Sequence, residues 1–237
     1  MNRTLQTMQY LTKSLKRVTF FSIFVVLITV IIADYIFYKT GGFDPGRPIE
    51  TRSMAFELVA GSFAFLIGLK YFRPNFNVAL ANGISRKTFL LANLPVAALI
   101  AVVFPVSNLL MIQIHNVFSP ISTMSEMIFP LITGWLWSLL FQFALYFMLL
   151  IGGWFITFIY YRSNALLKWI ISLIPFVFFI IPIVDSQFYY QSIHPVLKNS
   201  IMWVFHQPAR PPLLMLIFSA ILAAFTFLLI YRAPLKD

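Results

Sequence analysis

Cysteine is absent from the 237 residues of this chain, and charged residues make up only 10% of them. Without cysteine the chain forms no disulfide, no thiolate metal site and no cysteine nucleophile. Since 60% of the residues are hydrophobic, too little polar sequence remains for a separate soluble catalytic domain. The scarcity of charge leaves room for long apolar runs.

Six apolar stretches carry no Lys, Arg, Asp or Glu at their centres. A helix of about 20 residues crosses a hydrocarbon core of roughly 30 Å, and it satisfies its own backbone hydrogen bonds in lipid. The pattern therefore predicts an all-α, polytopic membrane protein with one transmembrane domain over residues 1–237. The predicted spans are residues 18–38, 54–72, 89–114, 129–160, 169–184 and 213–231.

The basic residues are distributed unequally between the two predicted sides of the membrane. Twelve of the 17 lysines and arginines fall on the side that carries both chain ends, and the other five fall in the opposite loops. Positive residues are enriched in cytoplasmic loops. This predicts a multi-pass protein of the cell membrane with both termini in the cytoplasm. The net charge of +10 then reflects topology and attraction to anionic lipid, and it does not require nucleic acid.

The amino-terminal 17 residues are too polar to span but are patterned. Leu5, Met8, Leu11 and Leu15 recur at spacings of three and four residues. Such a stripe predicts a helix that lies in the membrane interface. The alternative is an ordinary basic flank of the first span.

A short cytoplasmic helix is predicted between the second and third spans. Pro74 is expected to end the second span, Gly83 to end the short helix, and Ser85 to cap the third span. The apolar residues of this segment share one helical face: Phe76, Leu80 and Ile84. A helix exposed to the cytoplasm and joined to two spans is a suitable place for a soluble partner to push.

Residues 77–89 read Asn-Val-Ala-Leu-Ala-Asn-Gly-Ile-Ser-Arg-Lys-Thr-Phe. This run resembles the loop between the second and third spans of ABC-2 type permeases, the transmembrane subunits of bacterial ABC exporters. The six-span arrangement is similar as well. The resemblance implies a coupling loop that contacts a separate ATPase through Asn77, Asn82, Gly83, Ser85, Arg86 and Lys87. It also implies two ATP-binding subunits, which hold ATP and Mg, and a second permease subunit, identical or different.

The chain has no sequence signature of an enzyme. A P-loop needs a Gly-rich turn after a strand, followed by Lys and Ser or Thr, whereas Arg86-Lys87-Thr88 has a single glycine nearby. The three histidines lie in predicted outer loops without metal-ligand spacing. We expect a non-catalytic subunit that binds no cofactor and no metal itself.

An ion-coupled secondary transporter is the main alternative function. Such carriers place ionisable groups deep in the membrane, whereas Asp34 and Glu57 lie near the predicted outer ends of their spans, where a carboxylate can reach water. This position favours transport driven by an external energy source over transport coupled to an ion. A third possibility is a membrane scaffold or sensor subunit that transports nothing.

Neutral polar residues mark a possible translocation path. Asn108 and Gln142 would be unfavourable against lipid, so both are expected to face the inside of the bundle. The small residues Gly134, Gly152 and Gly153 are expected to allow close helix approach.

The segment 185–210 is rich in aromatic residues but interrupted by prolines. It resembles the re-entrant outer segment that ABC-2 permeases place between spans five and six, with Trp203 and Phe205 as a possible outer gate. The alternative is a loop that rests on the lipid headgroups. The predicted translocation path has walls that carry few charges. Together with an outer gate, such walls predict export of amphipathic or hydrophobic substrates: peptides such as toxins or antimicrobials, drugs, or lipid-like molecules.

Overall fold

The computed structural model describes residues 3–39, 50–116, 135–164, 168–169, 203–204, 207 and 209–231. Within these ranges the chain forms helices and turns and no strand, so the predicted all-α class is confirmed for the described residues. Five long helices account for most of them: α1 (Arg3–Lys39), α2 (Glu50–Ala81), α3 (Arg86–Asn116), α4 (Trp135–Arg162) and α5 (Arg210–Tyr231).

Three helices among the described residues are long and apolar enough to cross a membrane, namely Arg86–Leu110, Leu136–Tyr160 and Arg210–Tyr231. They coincide with the predicted spans 89–114, 129–160 and 213–231, and they are consistent with a membrane protein. The spans 18–38 and 54–72 fall within α1 and α2, and their membrane crossing stays a prediction. Apart from Trp169, the predicted span 169–184 lies outside the described residues.

The amino-terminal segment is part of one continuous helix. Helix α1 runs for 37 residues without a break, so residues 3–17 continue into the predicted first span instead of forming a separate helix, and their position in the membrane interface stays a prediction. No glycine or proline occurs between Arg3 and Lys39 to interrupt it. Leu11 and Leu15 are buried in the main core, and the Tyr71 hydroxyl of α2 donates to the Leu11 carbonyl at 2.6 Å. Met8, Leu11 and Leu15 of the apolar stripe therefore pack against the core of the bundle, whereas Leu5 is 52% exposed.

Helix α2 likewise continues where the sequence predicted an end. It passes through Pro74 to Ala81, so residues 75–81 extend the second helix instead of forming a separate one, and their coupling role stays a prediction. Proline removes one backbone donor, but the helix is held on both sides of it. Phe72 and Phe76 are buried there, and the Asn75 amide donates to the Tyr71 carbonyl at 2.7 Å. Packing on both flanks thus offsets the missing hydrogen bond.

A buried aromatic cluster joins three helices near the end of α2. It consists of Phe72 and Phe76 of α2, Phe89 of α3, and Trp154 and Phe158 of α4. The Phe72 ring lies 5.2 Å from the ring of Phe89 and 5.2 Å from that of Phe158, both in edge-to-face geometry. Aromatic rings prefer this arrangement. The aromatic cluster therefore fixes α2, α3 and α4 relative to one another.

Helices α2 and α4 meet backbone to backbone at two glycines. A Cβ atom at Gly153 would lie 2.7 Å from the Phe65 carbonyl oxygen, and one at Gly68 would collide with the backbone of Leu150. Glycine is required here because no side chain fits between the two helices. The close approach predicted for Gly153 is confirmed.

The other glycines of the predicted close-approach set differ from Gly153. A Cβ at Gly152 would meet nothing within 4 Å among the described residues, so none of the described helices approaches it closely and its predicted role stays a prediction. Gly134 lies outside the described residues. Sequence reasoning missed Gly68, which faces Gly153 across the crossing.

Helix α5 packs mainly on α4 and turns a narrow face inward. Apart from Pro211 and Pro212 in its first turn, its buried residues recur every three or four positions: Ser219, Ala223, Thr226 and Ile230. The hydroxyls of Ser219 and Thr226 donate to carbonyls one turn earlier in the same helix, so neither leaves a buried donor unpaired. The opposite face exposes large apolar side chains such as Ile217 and Phe225, which suits contact with lipid.

Candidate functional site

The turn between α2 and α3, residues 82–85, ends α2 at a glycine in the left-handed region. Gly83 has φ +72°. Its N–H donates to the Leu80 carbonyl at 2.9 Å, and the Ile84 N–H donates to the Ala79 carbonyl at 3.0 Å. These two bonds form a Schellman motif, which satisfies the last carbonyls of the helix and favours glycine at this position. The predicted helix-ending role of Gly83 is confirmed.

Ser85 caps the amino terminus of α3. Its Oγ accepts a hydrogen bond from the Thr88 backbone N–H at 3.1 Å, and the two hydroxyl oxygens lie 2.8 Å apart. An N-cap serine satisfies a donor that the helix leaves unpaired. The capping role predicted for Ser85 is confirmed, and the turn is therefore fixed on both sides.

Most residues of the predicted coupling loop are brought together on the surface. The exposed members are Asn77, Asn82, Gly83, Ser85 and Lys87. The Asn82 amide donates to the Val78 carbonyl at 2.7 Å, which adds a side-chain bond to the end of α2. A Cβ atom placed on Gly83 would meet no other atom within 4 Å among the described residues. A partner can therefore approach this turn closely.

Arg86 differs from the other predicted loop residues because its guanidinium group is engaged within the chain. It is half-buried, and its Nη1 donates to the carbonyls of Ile230 at 2.7 Å and Tyr231 at 2.9 Å. Those are the last two residues of α5, and a cation suits the negative end of a helix. Sequence reasoning missed this contact, since no local pattern relates residues so far apart in the chain.

A buried polar layer joins α2, α3 and α4 through Glu57, Asn108 and Gln142. The Gln142 Nε2 donates to Glu57 Oε1 at 2.7 Å, and the Asn108 Nδ2 lies 2.9 Å from Gln142 Oε1 and 3.3 Å from Glu57 Oε1. Each side chain is no more than 2% exposed. The three side chains are thus hydrogen-bonded to one another between the helices.

A tyrosine lies one helical turn from this layer. Tyr146 follows Gln142 by four residues, its ring centroid is 5.7 Å from that of Phe104, and its Cε1 lies 3.8 Å from a Cβ placed on Gly61. The Tyr146 hydroxyl is buried without a hydrogen-bond partner in the part of the chain that the structure describes. Tyr146 therefore places a buried hydroxyl group one helical turn along α4 from the polar layer.

The structure agrees with the inward orientation expected of Asn108 and Gln142, and their role in a translocation path stays a prediction. It contradicts the expectation for Glu57, whose carboxyl group was predicted to reach water but is only 2% exposed. The sequence does hold a signal for this burial. Glu57 shares one helical face with Ala60, Gly61 and Ala64, all of which are buried, and a face of small residues indicates close helix contact.

Only part of the predicted outer gate is described. Trp203 is 58% exposed, and the Arg210 guanidinium carbon lies 4.1 Å from the centre of its indole ring. The Arg210 Nη1 also donates to the Trp203 carbonyl at 2.7 Å. The stacked cation and the hydrogen bond connect Trp203 to the first residue of α5. Phe205 and most of the segment 185–210 lie outside the described residues.

Among the described residues, no group of three or more His, Asp or Glu side chains could hold a metal ion. The candidate site residues fall into three groups: the exposed turn, the buried hydrogen-bonded layer, and the pair of Trp203 and Arg210. No family model, curated protein or solved structure matches this chain.

Proposed function

We propose that this chain is the membrane-spanning permease subunit of an ATP-driven ABC exporter of the ABC-2 type. The observation that carries the proposal is the exposed turn at residues 82–85, which is fixed at both ends and tied to the helical bundle. A turn of this kind can receive a push from a soluble ATPase and pass it to membrane helices.

The contacts beneath the turn support such transmission. The aromatic cluster joins α2, α3 and α4 within a few turns of Gly83, and Arg86 connects the start of α3 to the end of α5. Because packed interiors transmit displacement instead of absorbing it, a force on the turn would move four helices together.

The complete assembly that we propose contains two ATP-binding subunits, which hold ATP and Mg, and a second permease subunit. The permease would have six spans with both termini in the cytoplasm of a bacterial cell. The segment 185–210 would form a re-entrant outer gate with Trp203 and Phe205. The exported substrates would be amphipathic or hydrophobic molecules, with peptides such as toxins or antimicrobials as the leading class.

The coupling role can be tested with a pair of identical substitutions. Asn82→Lys places a positive charge on the exposed turn, and Asn164→Lys places the same charge at another exposed position just after α4. We expect Asn82→Lys to weaken copurification of the ATPase or to uncouple ATP hydrolysis from export. Asn164→Lys should leave both unchanged. Wild-type copurification and export by Asn82→Lys would overturn the assignment of the turn.

A second candidate function, an ion-coupled secondary transporter, is favoured by the buried Glu57 carboxyl group. Carriers of that class place ionisable groups away from water. Reconstitution separates the two candidates. The exporter needs the ATPase subunit and ATP, whereas the carrier transports substrate in vesicles that contain this chain alone and an ion gradient.

A further inference from the structure

Three exposed lysines lie at one end of the bundle, where α1 contacts α2. The Tyr71 hydroxyl of α2 donates to the Leu11 carbonyl of α1 at 2.6 Å, so these two residues lie at the same level. Lys13 and Lys16 follow Leu11 by two and five residues. Lys70 directly precedes Tyr71, and all three lysines are exposed. The lysine cluster, formed by these three residues, therefore lies within about two helical turns of the contact.

No acidic residue of the five helices lies near the lysine cluster. Helices α3, α4 and α5 contain no Asp or Glu at all. On α1 and α2 the nearest acids are Asp34, 18 residues after Lys16, and Glu57, 13 residues before Lys70. At about 1.5 Å per helical residue these separations are roughly 27 Å and 20 Å, too long for an ion pair. The positive charge of the cluster is therefore available to an anion from outside the helices.

An exposed apolar surface continues from the lysine cluster along both helices. Phe20 and Phe24 follow Lys13 by seven and eleven residues, so they share its face of α1, and each is more than half exposed. On α2, Leu66 lies one turn from Lys70 on the same face and is also exposed. Lysine side chains commonly extend along apolar surface while the charged group stays in water. The combined face suits a ligand with an anionic head and a long hydrocarbon tail.

We propose that this face of α1 and α2 binds an anionic phospholipid. The phosphate lies at the lysine cluster, and an acyl chain follows Phe20, Phe24 and Leu66. A lipid is favoured over a free phosphate ion because only the lipid also covers the apolar surface. A lipid is favoured over an acidic soluble protein because the cations give way to exposed apolar side chains within one or two turns, as at the boundary between headgroups and hydrocarbon.

The inference goes beyond the proposed function, because it applies whether ATP or an ion gradient drives transport. It also differs from the general attraction of a basic protein to anionic lipid, since it assigns the headgroup and the acyl chain to particular residues.

Native mass spectrometry tests the site. The full chain is purified in detergent micelles that contain equal amounts of phosphatidylglycerol and phosphatidylcholine with the same acyl chains. We expect the wild type to retain phosphatidylglycerol in preference, and the double variant Lys13→Gln with Lys70→Gln to lose that preference. A lysine near an anionic surface contributes about 1 kcal/mol, so the double variant should bind phosphatidylglycerol on the order of 30-fold more weakly.

The matched control removes the same charge from the opposite ends of the same two helices. It is Lys39→Gln with Arg52→Gln. Because Asp34 and Glu50 lie close to these cations in the sequence, the control should retain phosphatidylglycerol as the wild type does. Equal loss in the two double variants, or equal retention of both lipids by the wild type, would overturn the proposal.

A second measurement uses the wild-type chain alone and so does not depend on the folding of a variant. Long-chain phosphatidylglycerol should raise the unfolding temperature more than dihexanoyl phosphatidylglycerol, which has the same headgroup but chains too short to follow the apolar surface. Inorganic phosphate at the same concentration should have no effect. Equal stabilisation by inorganic phosphate would indicate a site for a free anion and would overturn the proposal.

The same experiments distinguish a lipid from a second copy of this chain. Mass spectrometry also reports the number of chains in each complex. If the double variant Lys13→Gln with Lys70→Gln dissociated a dimer but retained phosphatidylglycerol, the face would be an interface between copies, and the lipid assignment would be wrong.

Discussion

The guanidinium group of Arg86 donates a 2.7 Å hydrogen bond to the carbonyl oxygen of Ile230, a residue 144 positions later in the chain. This bond joins the first residue of α3 to the end of α5. It places the beginning of one predicted span and the end of another at the same end of the bundle. Arg86 therefore has a structural role within the chain, in addition to any role in partner binding.

Removing the Arg86 guanidinium should destabilise the bundle. Arg86→Ala leaves the carbonyls of Ile230 and Tyr231 without this donor, and hydrogen bonds that involve a charged group contribute about 1.5–3 kcal/mol. We expect a lower unfolding temperature in detergent. The matched control is Lys87→Ala, because Lys87 is exposed. If both variants unfolded at the same temperature as wild type, the structural role of Arg86 would be wrong.

Local features of the α2–α3 turn could be predicted from the sequence, whereas its supporting contacts could not. Gly83 and Ser85 act through backbone and side-chain bonds within four or five residues, so residue type and spacing are sufficient signals. The Arg86 contact depends on where α5 comes to lie. The continuation of α2 through Pro74 depends on an aromatic cluster with members on three helices. Sequence rules judge a proline by its neighbours along the chain, whereas here the packing between helices keeps α2 continuous.

The crossing of α2 and α4 gives a prediction with an internal control. Gly153→Ala would drive a methyl group to within 2.7 Å of the Phe65 carbonyl oxygen, so the helices must separate. Overpacking of this kind costs about 1–3 kcal/mol, and we expect a marked fall in unfolding temperature. The adjacent Gly152→Ala should have little effect, since its Cβ meets nothing within 4 Å among the described residues. If Gly152→Ala lowered the unfolding temperature more than Gly153→Ala, the result would contradict the crossing geometry.

A similar limit of sequence reasoning applies to Glu57. A carboxylate near the predicted end of a span is expected to reach water, and only the small residues on the same face of α2 indicated otherwise. The burial follows from how closely α2 approaches α4, which depends on Gly68 and Gly153. Amides in the span interiors were easier to interpret, because Asn108 and Gln142 are unfavourable in lipid wherever the neighbouring helices lie.

Asn93 of α3 provides a stability prediction of opposite sign. Its side chain is 1% exposed, and both of its amide atoms lack a hydrogen-bond partner in the described part of the chain. An unsatisfied buried polar group costs about 1–3 kcal/mol, so Asn93→Leu should raise the unfolding temperature. The control is Asn75→Leu, which removes the 2.7 Å bond to the Tyr71 carbonyl and should lower it.

The Asn93 experiment also bears on function. If Asn93→Leu stabilises the chain but reduces export, the unpaired amide serves a second conformation or a substrate. If it stabilises the chain without loss of export, the amide is a tolerated defect of packing. A decrease in unfolding temperature for Asn93→Leu would show that the amide has a partner in the membrane.

The last prediction concerns topology, which the bond between Arg86 and the end of α5 makes sharper. Because Arg86 donates to the Tyr231 carbonyl at 2.9 Å, a reporter inserted after Gly83 and one fused after Asp237 should lie on the same side of the membrane. The distribution of twelve against five basic residues predicts that this side is the cytoplasm. A cytoplasmic reporter should therefore be active at both positions, and an exterior reporter should be active after Gly46 and Ser122. Activity on opposite sides at Gly83 and Asp237 would contradict the Arg86 contact itself. Exterior activity at both would leave that contact intact but would refute the predicted orientation, and with it the access of a cytoplasmic ATPase to the turn.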